Sequence, residues 1–160
     1  MEASNVKKIS CCLLIFLTSA GLAAAEQSEP PREPTLPSVH LQTESMRWEP
    51  AKEIPGFPTG RLRKFLHLND ETGAGAAMIK HPAGFVEPQH YHTTGAHSIY
   101  VLEGQMMFGE IRAGAGDFLF TPAWQAHGPI EILEETTFLI WSDGPLDINF
   151  GTPGASLDKD

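Results

Sequence analysis

His90-Tyr91-His92-Thr93-Thr94-Gly95-Ala96-His97 is the stretch whose reading decides the fold. On a β-strand alternate side chains share a face, so His90 and His92 project the same way and can chelate one ion. Thr93-Thr94-Gly95-Ala96 reads as a turn, with Gly95 free to take positive φ. His97 then opens a return strand, and cross-strand pairing can carry it beside the first two imidazoles. His127, which follows Gly116, Asp117 and Pro122, is a fourth candidate. An HxH pair alone also occurs on solvated edge strands; the framing by His97, His127 and the glycines is what points to a metal site. His40, His67 and His81 lack that framing and read as surface or structural residues.

Outward from this stretch, short apolar runs alternate with Gly, Pro and Asn/Asp punctuation. Strands are expected near 61–67, 75–81, 85–92, 97–103, 105–109, 117–121, 127–132 and 136–142. No long segment repeats apolar residues at i, i+3, i+4, i+7, so no substantial helix is expected. Many short strands at close spacing predict an all-β sandwich or barrel of jelly-roll type. With 15 Gly and 13 Pro in 160 residues, the composition suits a turn-rich β domain. The length allows one domain. A formal net charge of −9 argues against a nucleic-acid partner, which needs a dense cationic face. No Ser-His-Asp arrangement, P-loop or dinucleotide fingerprint is visible.

The flanks read differently. Residues 1–25 resemble a secretory signal peptide: Lys7 and Lys8, an apolar stretch over 9–22, then Ala23-Ala24-Ala25 before Glu26. That stretch is short for a stable membrane span. Cleavage after Ala25 would remove both cysteines, Cys11 and Cys12, leaving no thiol or disulfide in an exported, periplasmic or secreted protein. Residues 26–45, with Pro30, Pro31, Pro34 and Pro37, read as an extended linker. The folded domain is expected over 46–150, with a tail over 151–160.

The folded region resembles the cupin superfamily. The first cupin motif, G-x5-H-x-H-x(3,4)-E-x6-G, is matched by Gly84, His90, His92, position 97 and Gly104. The second, G-x5-P-x-G-x2-H-x3-N, is matched by Gly116, Pro122, position 124, His127 and position 131. There are three departures: His97 stands for the usual glutamate, Trp124 for a turn glycine and Glu131 for the terminal asparagine. The H-x-H-x4-H spacing is similar to four-histidine cupins, such as the cupin domain of zinc-dependent anti-sigma factors and dihydroxyacetophenone-type dioxygenases. The resemblance implies a single-domain jelly roll whose interior carries a metal on His90, His92, His97 and His127, and a homodimer paired through its sheets.

Neutral imidazoles suit one divalent ion, Fe2+ or Zn2+ first, with Mn, Ni and Cu compatible. Replacing the glutamate by His97 leaves the site more positive, which favours an anionic oxygen chelator. Residues 78, 100, 106, 108, 118, 120, 124, 138 and 141, all Met, Tyr, Phe or Trp, are candidate pocket walls, with alternate members facing outward. Tyr100 and Glu103 are candidate acid–base groups, while Gln89, Gln125 and Glu87 flank the ligand positions as donors or as plain surface. The leading expectation is an exported dioxygenase acting on a small oxygen-chelating organic molecule. The alternatives are a non-catalytic zinc-binding or ligand-binding cupin and a non-redox lyase, isomerase or cyclase. Fold does not choose among these.

Overall fold

Twelve antiparallel strands and one short 3-10 turn account for the regular structure of residues 36–154, which the computed structural model describes. The expected signal segment, the start of the linker through 35 and the tail beyond 154 lie outside the described residues. The strands are β1 (Glu49–Pro50), β2 (Leu62–Leu68), β3 (Gly75–His81), β4 (Val86–Glu87), β5 (His90–Tyr91) and β6 (His97–Glu103). They continue with β7 (Gln105–Phe108), β8 (Ile111–Gly114), β9 (Phe118–Thr121), β10 (Ile130–Ile132), β11 (Thr136–Ser142) and β12 (Asn149–Phe150). One sheet runs β1-β2-β3-β11-β6-β9, a second β4-β10-β7-β8, and a two-stranded ribbon pairs β12 with β5. Non-consecutive neighbours such as β3–β11 and β6–β9 give the crossing connections of a jelly roll.

Alternation fixes which residues meet. On β6 His97, Ile99 and Val101 are buried, while Tyr100 and Leu102 are exposed. Register carries that face across β11, where Ile140 lies opposite Ile99 and Phe138 opposite Val101. From the other sheet come Met106, Ala113, Ile130 and Ile132, all buried in one cluster with Phe57 and Phe85. Each large apolar side chain buried there contributes about 1.5–3 kcal/mol.

The long strands β3, β6 and β11 have the expected bounds, β2, β7 and β9 come within one residue of theirs, and two other runs are broken. The run expected over 85–92 divides into β4 and β5 at Pro88, which has no N–H for the ladder. The run expected from 127 keeps only Ile130–Ile132, because Gly128-Pro129 interrupts it; His127 still forms an isolated bridge with His90. Gly95 is required for space and not for positive φ. A Cβ there would lie 3.0 Å from the Gly144 and Pro145 carbonyl oxygens. The 3-10 turn Thr43–Ser45 packs on the large sheet through Lys64, whose Nζ donates to the Thr43 carbonyl at 2.8 Å and lies over the Trp48 ring.

Candidate metal centre

Three backbone devices bring the histidines together. The His90–His127 bridge exchanges two hydrogen bonds, His90 N–H to His127 O at 3.0 Å and His127 N–H to His90 O at 2.9 Å. It sets the two ring centroids 4.2 Å apart. His92 follows at the end of β5, its ring 5.0 Å from His90 and 5.2 Å from His127. His97 enters from β6, 4.9 Å from both His92 and His127. All four are buried. His90, His92 and His127 can each offer one nitrogen so that the three atoms lie within 4.8 Å of one another.

Their tautomers are set by the main chain. His90 Nδ1–H donates to Pro88 O at 2.8 Å, His92 Nδ1–H to Asp147 O, and His127 Nδ1–H to Gln125 O at 3.2 Å. Each of these rings therefore keeps Nε2 as its free lone pair, the arrangement in which imidazoles bind metals. His97 is different, because its buried Nδ1 has no partner. The donors fit a borderline divalent ion: neutral imidazoles only, already oriented and shielded from water. Burial first, and then the neighbouring imidazoles, push His97 down to about 3 and His127 to about 4, so both stay neutral near pH 7. Burial also lowers His90 and His92, against the hydrogen bonds to Pro88 and Asp147.

Asp147 braces the turn that the sequence places between the histidines. Its carboxylate accepts from Thr93 N–H at 2.8 Å, Thr93 Oγ1 at 2.7 Å, Thr94 N–H at 3.2 Å and Thr94 Oγ1 at 2.9 Å. These donors hold its carboxyl well below the usual range. No sequence spacing pointed to Asp147, because it lies 55 residues beyond His92.

The four histidines line a cavity of about 400 Å3. Ile79, Ile99, Ile140 and Phe138 give it apolar walls, and Arg61, Arg63, His81 and Glu87 add polar ones. Most of the aromatic residues expected in the walls are elsewhere. Phe118, Phe120 and Trp124 are more than half exposed and Tyr100 faces outward, while Met106 is in the core. Phe108 stacks on His127 at 5.6 Å, and Met78 is likewise absent from the lining. Of the nine, Phe138 and Trp141 line the cavity. Tyr100 and Glu103 point away from it, Tyr100 standing in register with the exposed Phe118. Gln125 serves through its main-chain carbonyl. Glu87 reaches inward, its Oε1 3.7 Å from His90 Nε2. Burial holds Glu87 up to about 7, against the pull of Arg61. His40 is exposed and His67 half-buried, whereas His81 is buried in the cavity wall.

Comparison with known proteins agrees with this architecture. A 79-residue segment is 39% identical to the DNA damage-repair/toleration protein DRT102 of Arabidopsis thaliana, covering 46% of this chain and only 25% of that protein. A crystal structure from Methylibium petroleiphilum PM1, provisionally assigned as an acetylacetone dioxygenase, superposes with a TM-score of 0.63 at 24% identity, covering 77% of this chain and 87% of that one. The acetylacetone dioxygenase of Acinetobacter johnsonii gives 0.59 at 21% identity over 74% and 81% of the two chains. At these identities the superpositions establish the fold. The family model of the ChrR cupin-like domain matches residues 37–147, which hold all four histidines and every strand but β12, and the chain belongs to that cupin family.

Proposed function

We propose that this protein is an exported, metal-dependent dioxygenase that cleaves a small organic molecule able to chelate through two oxygens. The observation that carries the reading is the pre-set orientation of His90, His92 and His127, with Nδ1 on main-chain carbonyls and Nε2 free beside an apolar-walled cavity. His97 stands by as a fourth nitrogen donor. When bound, ferrous iron would supply Lewis acidity and the means to use O2. The chain's own residues do the rest. Ile79, Ile99, Ile140 and Phe138 exclude water from the substrate, and Glu87 is the carboxyl group placed to take a proton from an enolisable carbon. One C–C bond breaks and both atoms of O2 enter the two products, so no external reductant is required.

The fold shared with acetylacetone dioxygenases supports this reading without fixing the substrate. Among the described residues no helix is long and apolar enough to cross a membrane. Export rests on the N-terminal segment 1–25. Pairing of two copies is in keeping with the exposed outer-sheet residues Tyr100, Phe118 and Phe120, and sedimentation velocity tests it.

The test is metal analysis of protein purified from its native compartment, followed by O2 uptake by the Fe(II)-loaded protein with a panel of 1,3-diketones. Iron content with stoichiometric O2 consumption is expected. Zinc alone, with no turnover of any diketone, would instead establish the zinc-binding reading, which the four-imidazole shell also accommodates.

A further inference from the structure

The cavity has a second polar wall that the metal cluster does not use. Arg63 is on β2 and Arg61 immediately precedes that strand, two residues away, so that in the extended chain they share a face. Register places Arg63 opposite Ile79 on β3, and the same ladder extended by one pair brings Arg61 level with His81. All three line the cavity that the metal-site histidines also line. Two buried atoms there have no hydrogen-bond partner, Arg63 Nε and His81 Nδ1. A guanidinium Nε–H can only donate, and a buried donor without an acceptor is costly. His81 is held by ring contacts with Phe85 at 4.4 Å and Phe138 at 5.2 Å, and its Nδ1 stays unpartnered.

Charge points the same way. Glu87 is the one carboxyl among the residues lining this cavity, and Arg61 donates through Nη2 to Lys52 O at 2.8 Å. Two guanidiniums against one carboxyl leave this wall positive. We propose that the β2–β3 wall is an anion subsite in which Arg63 Nε–H and His81 Nδ1–H, backed by Arg61, bind a carboxylate of the substrate, while its chelating oxygens face the histidine cluster. The substrate class is therefore a small dioxo acid and not a neutral diketone. This deepens the dioxygenase reading and rests on it for the identity of the chelating end.

The experiment compares 2,4-dioxopentanoate with acetylacetone, two diketones of which only the first carries a carboxylate. Their binding to metal-free and to Fe(II)-loaded wild-type protein, Arg63→Met and His81→Phe is measured by calorimetry. Thermal melts confirm that each variant is folded. Wild type should bind the acid at least about tenfold more tightly than the neutral diketone, since hydrogen bonds to charged groups are worth that much. The preference should persist without metal and shrink toward unity in both variants. Equal affinity of wild type for the two ligands overturns the subsite, as does a preference undiminished in both folded variants. Loss of O2 uptake with the preference intact would count against the dioxygenase reading alone.

Discussion

The main-chain carbonyl of Asp147 accepts the Nδ1–H of His92, while the carboxylate of the same residue ties down Thr93 and Thr94. One residue thus fixes both the ring and the turn behind it. Asp147→Ala keeps the carbonyl and removes the brace. It should weaken metal binding by about tenfold, as loss of ligand-orienting partners does. Competition with a chromophoric chelator measures this, and unchanged affinity would show that the turn holds itself.

The four imidazoles should not contribute equally. His92 has its tautomer fixed, whereas His97 has an unpartnered Nδ1 and stands outside the tightest three-nitrogen group. His92→Ala is expected to abolish stoichiometric metal binding, and His97→Ala to retain it with reduced affinity. Metal content after gel filtration distinguishes the two; equal loss in both variants would make His97 a full ligand.

Trp124, at the glycine position of the second cupin motif, has φ 67 in the left-handed region, and its N–H donates to His92 O at 2.7 Å. A non-glycine residue in that region costs about 1–2 kcal/mol. The indole recovers part of that cost by stacking on Tyr91, with centroids 6.1 Å apart. Trp124→Ala loses the stack and keeps the strain. Trp124→Gly loses the stack and relieves it, so glycine should be the more stable of the two by about 1 kcal/mol in urea unfolding.

Gly104, at φ 83 between β6 and β7, is the least replaceable motif glycine. A Cβ there would overlap the Glu135 carbonyl and lie 2.7 Å from Thr136 Cα, whereas at Gly116 it would meet nothing within 4 Å. Gly104→Ala should prevent soluble expression or cost several kcal/mol, and Gly116→Ala only about 1–2 kcal/mol of backbone strain. Comparable losses at both sites would show that strain, not collision, dominates.

Acid should destabilise the metal-free protein. Burial lowers His81 from 6.5 to about 3, with the Arg61 charge adding to it. Between those values the unfolded chain binds the proton that the folded chain refuses, so stability present above pH 6.5 is lost as pH falls toward 3. His97 and His127 act in the same sense. Glu87, raised from 4.5 to about 7, opposes them only within that interval. Stability should therefore decline below pH 6.5 and most steeply below 4.5. His81→Gln should flatten the slope near pH 5 by about 1.4 kcal/mol per pH unit.

Much of this was legible in the primary structure, because strand parity is a local property. The HxH spacing, the return to His97 and the bounds of β3, β6 and β11 all follow from period-two alternation. Parity also settles the aromatic residues, since Tyr100 is out of phase with His97 and must face away from the cluster. Aromatic size, in contrast, says nothing about face, which is why Phe118 and Phe120 were candidates for a cavity they do not line. Asp147 and the Arg61–Arg63–His81 wall depend on pairings between distant segments. Strand β8 is not legible in the sequence because Ile111-Arg112-Ala113-Gly114 is too short and mixed to show alternation.

The β5–β12 ribbon makes the metal site depend on the last strand of the domain. It brings residues 149–150 onto 90–91, so the brace on His92 comes from a segment C-terminal to all four histidines. A chain ending before Asp147 would carry all four imidazoles with one of them unaligned. Metal capture should thus report completion of the domain, and an ion would be gripped fully only by a chain that has closed its last ribbon.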